Sequence, residues 1–177
     1  MALGALMYLY SSSTQTHSQI PEWQQSKAQA DTCWPAVRSI CKHLGFGPPS
    51  PSDVATDRAG VDFVTDDGKR WAWRNRGASY FSYGDVTIRV ARPSGALTEA
   101  DKLRAGACDL ALWTWASARG CVMQWLVLDA SRVAGLLDQD WPRLRMADAE
   151  AACVPFKALA EAGAIVASSR GVVRALQ

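Results

Sequence analysis

Residues 57 to 76 read DRAGVDFVTDDGKRWAWRNR, a stretch that brings acids together with bulky aromatics alternating with basic groups. GVDFV and KRWAWRNR read as two short strands joined by a tight turn at Asp67 and Gly68. Strand side chains alternate faces, so Trp71, Trp73 and Asn75 are expected on one side and Arg70, Ala72, Arg74 and Arg76 on the other. By the same alternation Asp62 points away from Val61 and Phe63. Metal-assisted phosphodiester hydrolysis needs hard oxygen ligands beside the scissile phosphate, which makes Asp62 the first candidate ligand. The plainer alternative is an acid at a strand end, solvated or paired with Arg58 or Arg74. Arg74 keeps its proton at any working pH, so it suits charge stabilisation on a phosphoryl oxygen and not general-base work. The competing reading is a surface arginine on a polar strand face.

An acid on one strand of a hairpin and a polar-x-basic pair on the next is the arrangement by which the PD-(D/E)XK, or restriction-endonuclease-like, nucleases hold a divalent metal against a phosphate. This chain resembles them, with Asp62 at the position of their first acid and Ala72-Trp73-Arg74 at the position of their acid-x-lysine. Alanine has no ligand atom, so the resemblance implies nucleic-acid engagement more strongly than cleavage. A carboxylate from elsewhere is then needed beside Asp62. Asp31 and Glu22 on the first helix are available but are not preferred, Asp31 reading better as a helix cap. Glu99, with Lys102 one turn on, is the stronger choice, against readings as a helix-start acid and a solvated lysine. The resemblance thus implies a catalytic set of Asp62, Arg74, Glu99 and Lys102, with Mg²⁺ on Asp62 and Glu99. It also implies a nucleic acid, DNA foremost, held by Arg70, Arg74, Arg76 and Arg89. TIR followed by SG-x-x-TE-x-x-K, and VPF-x-x-L-x-x-x-GAIV near the end, are similar to uncharacterised nuclease-like proteins of phages and mobile elements, over roughly residues 22 to 168.

The elements that must position these residues follow from periodicity. Residues 1–20 are apolar at first and then polar without pattern, which reads as a loosely held arm; residues 21–177 read as one domain. An apolar stripe from Trp23 to Leu44 predicts a helix, kinked at Pro35 or restarted near Asp31 and Thr32, and closed by Gly45 and PPSPS. After the hairpin, GASYFSYG reads as a loop and DVTIRVA as a third, half-buried strand. Thr98 reads as the cap of a short helix ending near Arg104. DLALWTWA and CVMQWLVLD are continuous apolar runs, the pattern of strands buried on both faces. Beyond them come a helical turn from Ser131 to Leu137, a loop over DQDWPRLR, an extended ACVPF, a helix from Lys157 to Ala162 and a last strand at AIVAS. The fold class is α/β, a central mixed β-sheet flanked by helices, and the resemblance implies a restriction-endonuclease-like core.

Composition limits the alternatives. A formal charge of +2 does not announce a nucleic-acid partner, so the case rests on where the arginines lie. Five cysteines without a C-x-x-C pair argue against zinc, and most of them sit in apolar runs as small buried hydrophobes do, which suits a reducing, cytoplasmic setting. The opening ALGALMYLY lacks a basic leader and is too short to span a bilayer, so no membrane partner is expected. His17 and His43 have no nucleophile at informative spacing. Trp113, Trp115 and Trp125 read as core, whereas Tyr80, Phe81 and Tyr83 are placed where they could stack on a base. Three functions follow: a degenerate Mg²⁺-dependent endonuclease, an inactive DNA-binding module, or an assembly protein whose N-terminal arm and tryptophans form a homo-oligomer interface.

Overall fold

The computed structural model describes residues 22–172. The N-terminal arm, with Met1–Tyr10 and His17, and most of the closing GVVRALQ lie outside the described residues, as does the Glu22 side chain. The expected stripe forms one unbroken helix, α1 (Glu22–His43), which runs through Pro35. It buries Cys33, Val37, Ile40 and Cys41.

A seven-stranded mixed sheet is the centre of the molecule, in the order β1 (Pro49–Pro51), β2 (Phe63–Thr65), β3 (Arg70–Gly77), β5 (Leu110–Ala116), β6 (Val122–Asp129), β9 (Ile165–Ser168) and β10 (Gly171–Val172). β1, β2 and β3 form an antiparallel meander, and β5 lies parallel to β3 with Trp71 opposite Leu110 and Arg74 opposite Trp113. The parallel step requires a crossover. It carries β4 (Asp85–Ala91) and α3 (Glu99–Arg104), while α4 (Ala130–Leu136) follows β6 and α5 (Phe156–Glu161) comes late in the chain. A second sheet has the order β4, β8 (Glu150–Pro155), β7 (Arg143–Arg145).

β5 divides the core. Leu110 and Leu112 face α1, together with Val37, Phe63, Trp71 and Val127. Ala111, Trp113 and Trp115 face the other way, onto Ile88, Leu103, Val133 and Leu159. The hairpin aromatics lie on the α1 side: Phe63 stacks on Trp71 at 5.3 Å, Phe46 meets Trp71 edge-on at 4.8 Å, and Trp34 meets Phe63 edge-on at 5.6 Å. The buried polar ends are satisfied, Trp71 Nε1 donating to Thr65 Oγ1 and Trp73 Nε1 to Thr114 Oγ1. With those residues committed to the α1 face, Ala72, Arg74 and Arg76 must face the second sheet.

Several expectations need correction. PPSPS does not merely close α1 but holds β1, an edge strand of the kind in which proline is tolerated. The strand expected from Gly60 begins at Phe63, because residues 54–59 form α2 (Val54–Ala59), capped by Asp53 and ended by Gly60 at φ +106°. GASYFSYG is a 3-10 turn over Ala78–Tyr83, and the loop expected at DQDWPRLR contains β7. DVTIRVA is a strand, but it belongs to the second sheet. The β3 edge is occupied by β5, whose apolar side chains bury both faces. No helix among the described residues is long and apolar enough to cross a membrane.

Candidate functional site

The face of β3 turned from α1 looks into a cavity of about 280 Å³. α2 supplies Asp57 and Arg58, the start of β2 supplies Asp62, β3 supplies Ala72 and Arg74, and α3 supplies Glu99 and Lys102. β4 and the residue following it supply Arg89 and Arg92. A bulge between Arg89 and Ala91 breaks strict alternation at this end of β4, which lets two arginines three residues apart line one cavity. Five basic side chains therefore surround three carboxyls.

Glu99 is the hub. It is the first residue of α3, which starts as the sequence predicts, on a Thr98 cap closed reciprocally by Asp101. The Glu99 side chain is only 9% exposed. Its Oε1 lies 2.7 Å from Arg74 Nη2 and 3.5 Å from Arg89 Nη1, and its Oε2 accepts the Arg89 backbone N–H at 3.4 Å. A carboxylate this buried requires such partners. Arg74, placed across the parallel crossover, supplies one of them.

Asp62 is held differently. Its Oδ2 accepts the backbone N–H of Trp73, which locks the carboxyl against the middle of β3. Burial raises its pKa to about 6, opposed by Arg74 and by the Trp73 N–H, and assisted by the Asp57 carboxyl hydrogen-bonded to it. Cys108, also on the wall, has its thiol pushed up to about 11 by burial, which makes it a poor nucleophile. Gly60 gives Lys102 its path into the site. A Cβ at residue 60 would lie 2.8 Å from Lys102 Cδ, so the lysine stem crosses where a side chain would otherwise stand.

The structure thus gathers Asp62, Arg74, Arg89, Glu99 and Lys102 in one cavity. Arg76 lines an adjoining one of about 250 Å³ with Arg74, Arg89 and Glu99 and donates to the Thr87 carbonyl at 3.4 Å. Burial lowers the Arg76 pKa from its ordinary value, with Arg74 and Arg89 adding to the effect and Glu99 opposing it. Arg70 is placed elsewhere: its guanidinium is 2.8 Å from Asp109, and its backbone N–H donates to the same carboxylate. Asp31 pairs with Lys27 on the exposed face of α1. Phe81 turns into the core against Trp115 and Phe156, while Tyr80 and Tyr83 remain exposed. Sequence reasoning did not place Asp57 or Arg92 in the site, and it weighed Arg58 only as an ion partner. The capping pair Asp53 and Gly60 was the signal for the short helix that carries two of them.

The residues do not fit the magnesium ion that the resemblance implies. Ala72 has no donor, Glu99 is engaged by two guanidinium groups, and Asp62 is tied to a backbone N–H and a second carboxyl. Among the described residues no group of three His, Cys, Asp or Glu is placed to hold a metal. The arrangement suits an anion: guanidinium and ammonium groups line a concave wall, with one carboxylate ordering two of them. No family model matches the chain, and no curated protein sequence matches it.

Proposed function

We propose that the chain binds the sugar-phosphate backbone of a nucleic acid, DNA in the first instance, in the cavity between β3, β4, α2 and α3. On this reading it is a restriction-endonuclease-like protein that no longer works through a metal. The observation that carries the proposal is the convergence of Arg58, Arg74, Arg89, Arg92 and Lys102 on one wall from four separate elements. Five of the chain's nineteen basic side chains line that cavity, against three carboxyls. The superfamily part is supported by the helix, the three-stranded meander, the crossover helix and a strand parallel to β3, with Asp62 and Arg74 facing one cavity.

The test is fluorescence anisotropy with labelled duplex DNA over a salt series, in EDTA and in Mg²⁺. The expected result is binding that weakens linearly in log–log form with salt, is indifferent to EDTA and leaves the probe intact. Binding that vanishes in EDTA, or probe cleavage in Mg²⁺ that disappears in Asp62→Ala, would overturn the metal-independent reading.

A further inference from the structure

A third and larger cavity, of about 710 Å³, adjoins the cationic one. Trp113 lines both, and Arg76 and Asn75 link it to the intermediate cavity that holds Arg74, Arg89 and Glu99. Its chemistry differs from that of its neighbours. Tyr80 and Tyr83 from the 3-10 turn, Trp113 and Trp115 from β5 and Leu144 from β7 make it aromatic and apolar, and Arg76 and Asp85 supply the charged groups.

Three features of that wall are not explained by packing. Tyr80 and Tyr83 are 55% and 72% exposed, with rings in edge-on contact at 5.9 Å, although Phe81 between them is turned into the core. Trp113 is only 3% exposed, yet its indole N–H has no hydrogen-bond partner. Buried donors are nearly always paired, so a wall residue with an orphan N–H suits an acceptor brought in by a ligand. Arg76 Nε is a second buried donor without a partner on the same wall. Asp85 is half-buried beside Arg76, and burial raises its pKa against the pull of that guanidinium. Exposed rings beside buried, unused donors and one acid match a flat heteroaromatic ring with polar edges.

We infer that this cavity receives a nucleobase splayed out of a single-stranded polynucleotide whose neighbouring phosphates lie in the cationic cavity. The inference rests on the backbone-binding reading above and narrows its substrate class from any nucleic acid to one with unpaired bases. Arg76, at the junction, holds the phosphate between the two cavities. Tyr80 and Tyr83 supply the stacking faces, and Trp113 and Asp85 meet the polar edges of the base. Stacking platforms of this kind tolerate any base, because every base has a π-face.

The experiment compares four labelled probes of equal length on the full chain: oligothymidylate, oligouridylate, oligothymidylate with central abasic residues, and duplex DNA. The expected result is that a single strand binds about tenfold or more tighter than either the abasic strand or the duplex. Whichever of the two homopolymers binds tighter identifies the strand as DNA or RNA. Tyr80→Ala and Tyr83→Ala, both surface changes, should each weaken single-strand binding roughly tenfold and leave the abasic and duplex probes unchanged. Equal affinity for all four probes, unmoved by the tyrosine changes but still lost in Arg92→Ala with Lys102→Ala, would overturn the base cavity and leave backbone binding standing. Absence of binding to every probe would overturn both.

Discussion

Asp62 is costly to the fold. Its carboxyl titrates near 6 against an ordinary value of 3.8, because burial outweighs the help of Arg74 and the Trp73 N–H. The folded chain therefore holds this proton more tightly than the unfolded chain does. Its contribution to stability is complete below about pH 4 and is lost as pH rises through about 6. Asp62→Asn, which can still accept the Trp73 N–H, should be close to neutral at pH 4 and stabilising by up to about 3 kcal/mol at pH 7. Urea denaturation of both proteins across that range measures the difference. A residue whose replacement strengthens the fold is one kept for another purpose. Glu99 should behave oppositely. Glu99→Ala leaves Arg74 and Arg89 facing each other without their shared anion, and should destabilise by about 2–4 kcal/mol in the same assay.

At the scale of elements, the site depends on a short helix that the sequence scarcely announces. α2 has six residues and no buried side chain, so no apolar period marks it. Only its Asp53 cap and Gly60 end are legible. Gly60→Ala would force a left-handed φ on a residue with a Cβ and push Lys102 aside. It should cost about 1–2 kcal/mol in thermal or urea unfolding and weaken nucleic-acid binding as well. The long apolar run of β5 was readable, and so was the alternation that separates Trp71 and Trp73 from Ala72 and Arg74. That alternation, together with the hairpin register that pairs Phe63 with Trp71, places Asp62 and Arg74 on one face. The partner of β4 was not readable, because DVTIRVA alternates equally well in either sheet and pairing is settled by residues far along the chain, from Glu150 to Pro155. The Glu99 ion pairs were hidden for the same reason: they form only once the crossover has brought α3 over β3.

At the scale of the whole molecule, charge is unevenly distributed rather than large. Arg92 and Lys102 have no ion-pair partner among the described residues, whereas Arg70 and Arg104 are neutralised locally by Asp109 and Asp138. The cavity should consequently respond to pH through Asp62. Protonation removes a negative charge from the wall, so phosphate affinity should rise as pH falls from 7 to 5, and Asp62→Asn should lose most of that dependence. Anisotropy titrations at fixed ionic strength read this directly.

The most direct measurement is the salt dependence of duplex-DNA binding for the natural chain beside the Arg92→Ala, Lys102→Ala double variant. If both side chains sit on phosphates, each contact removed lowers the steepness of log K against log salt by about 0.9, so the double variant should be shallower by about 1.8 as well as weaker. An unchanged slope and affinity in the folded double variant would mean that the cavity beside Asp62 and Arg74 is not where a nucleic acid binds.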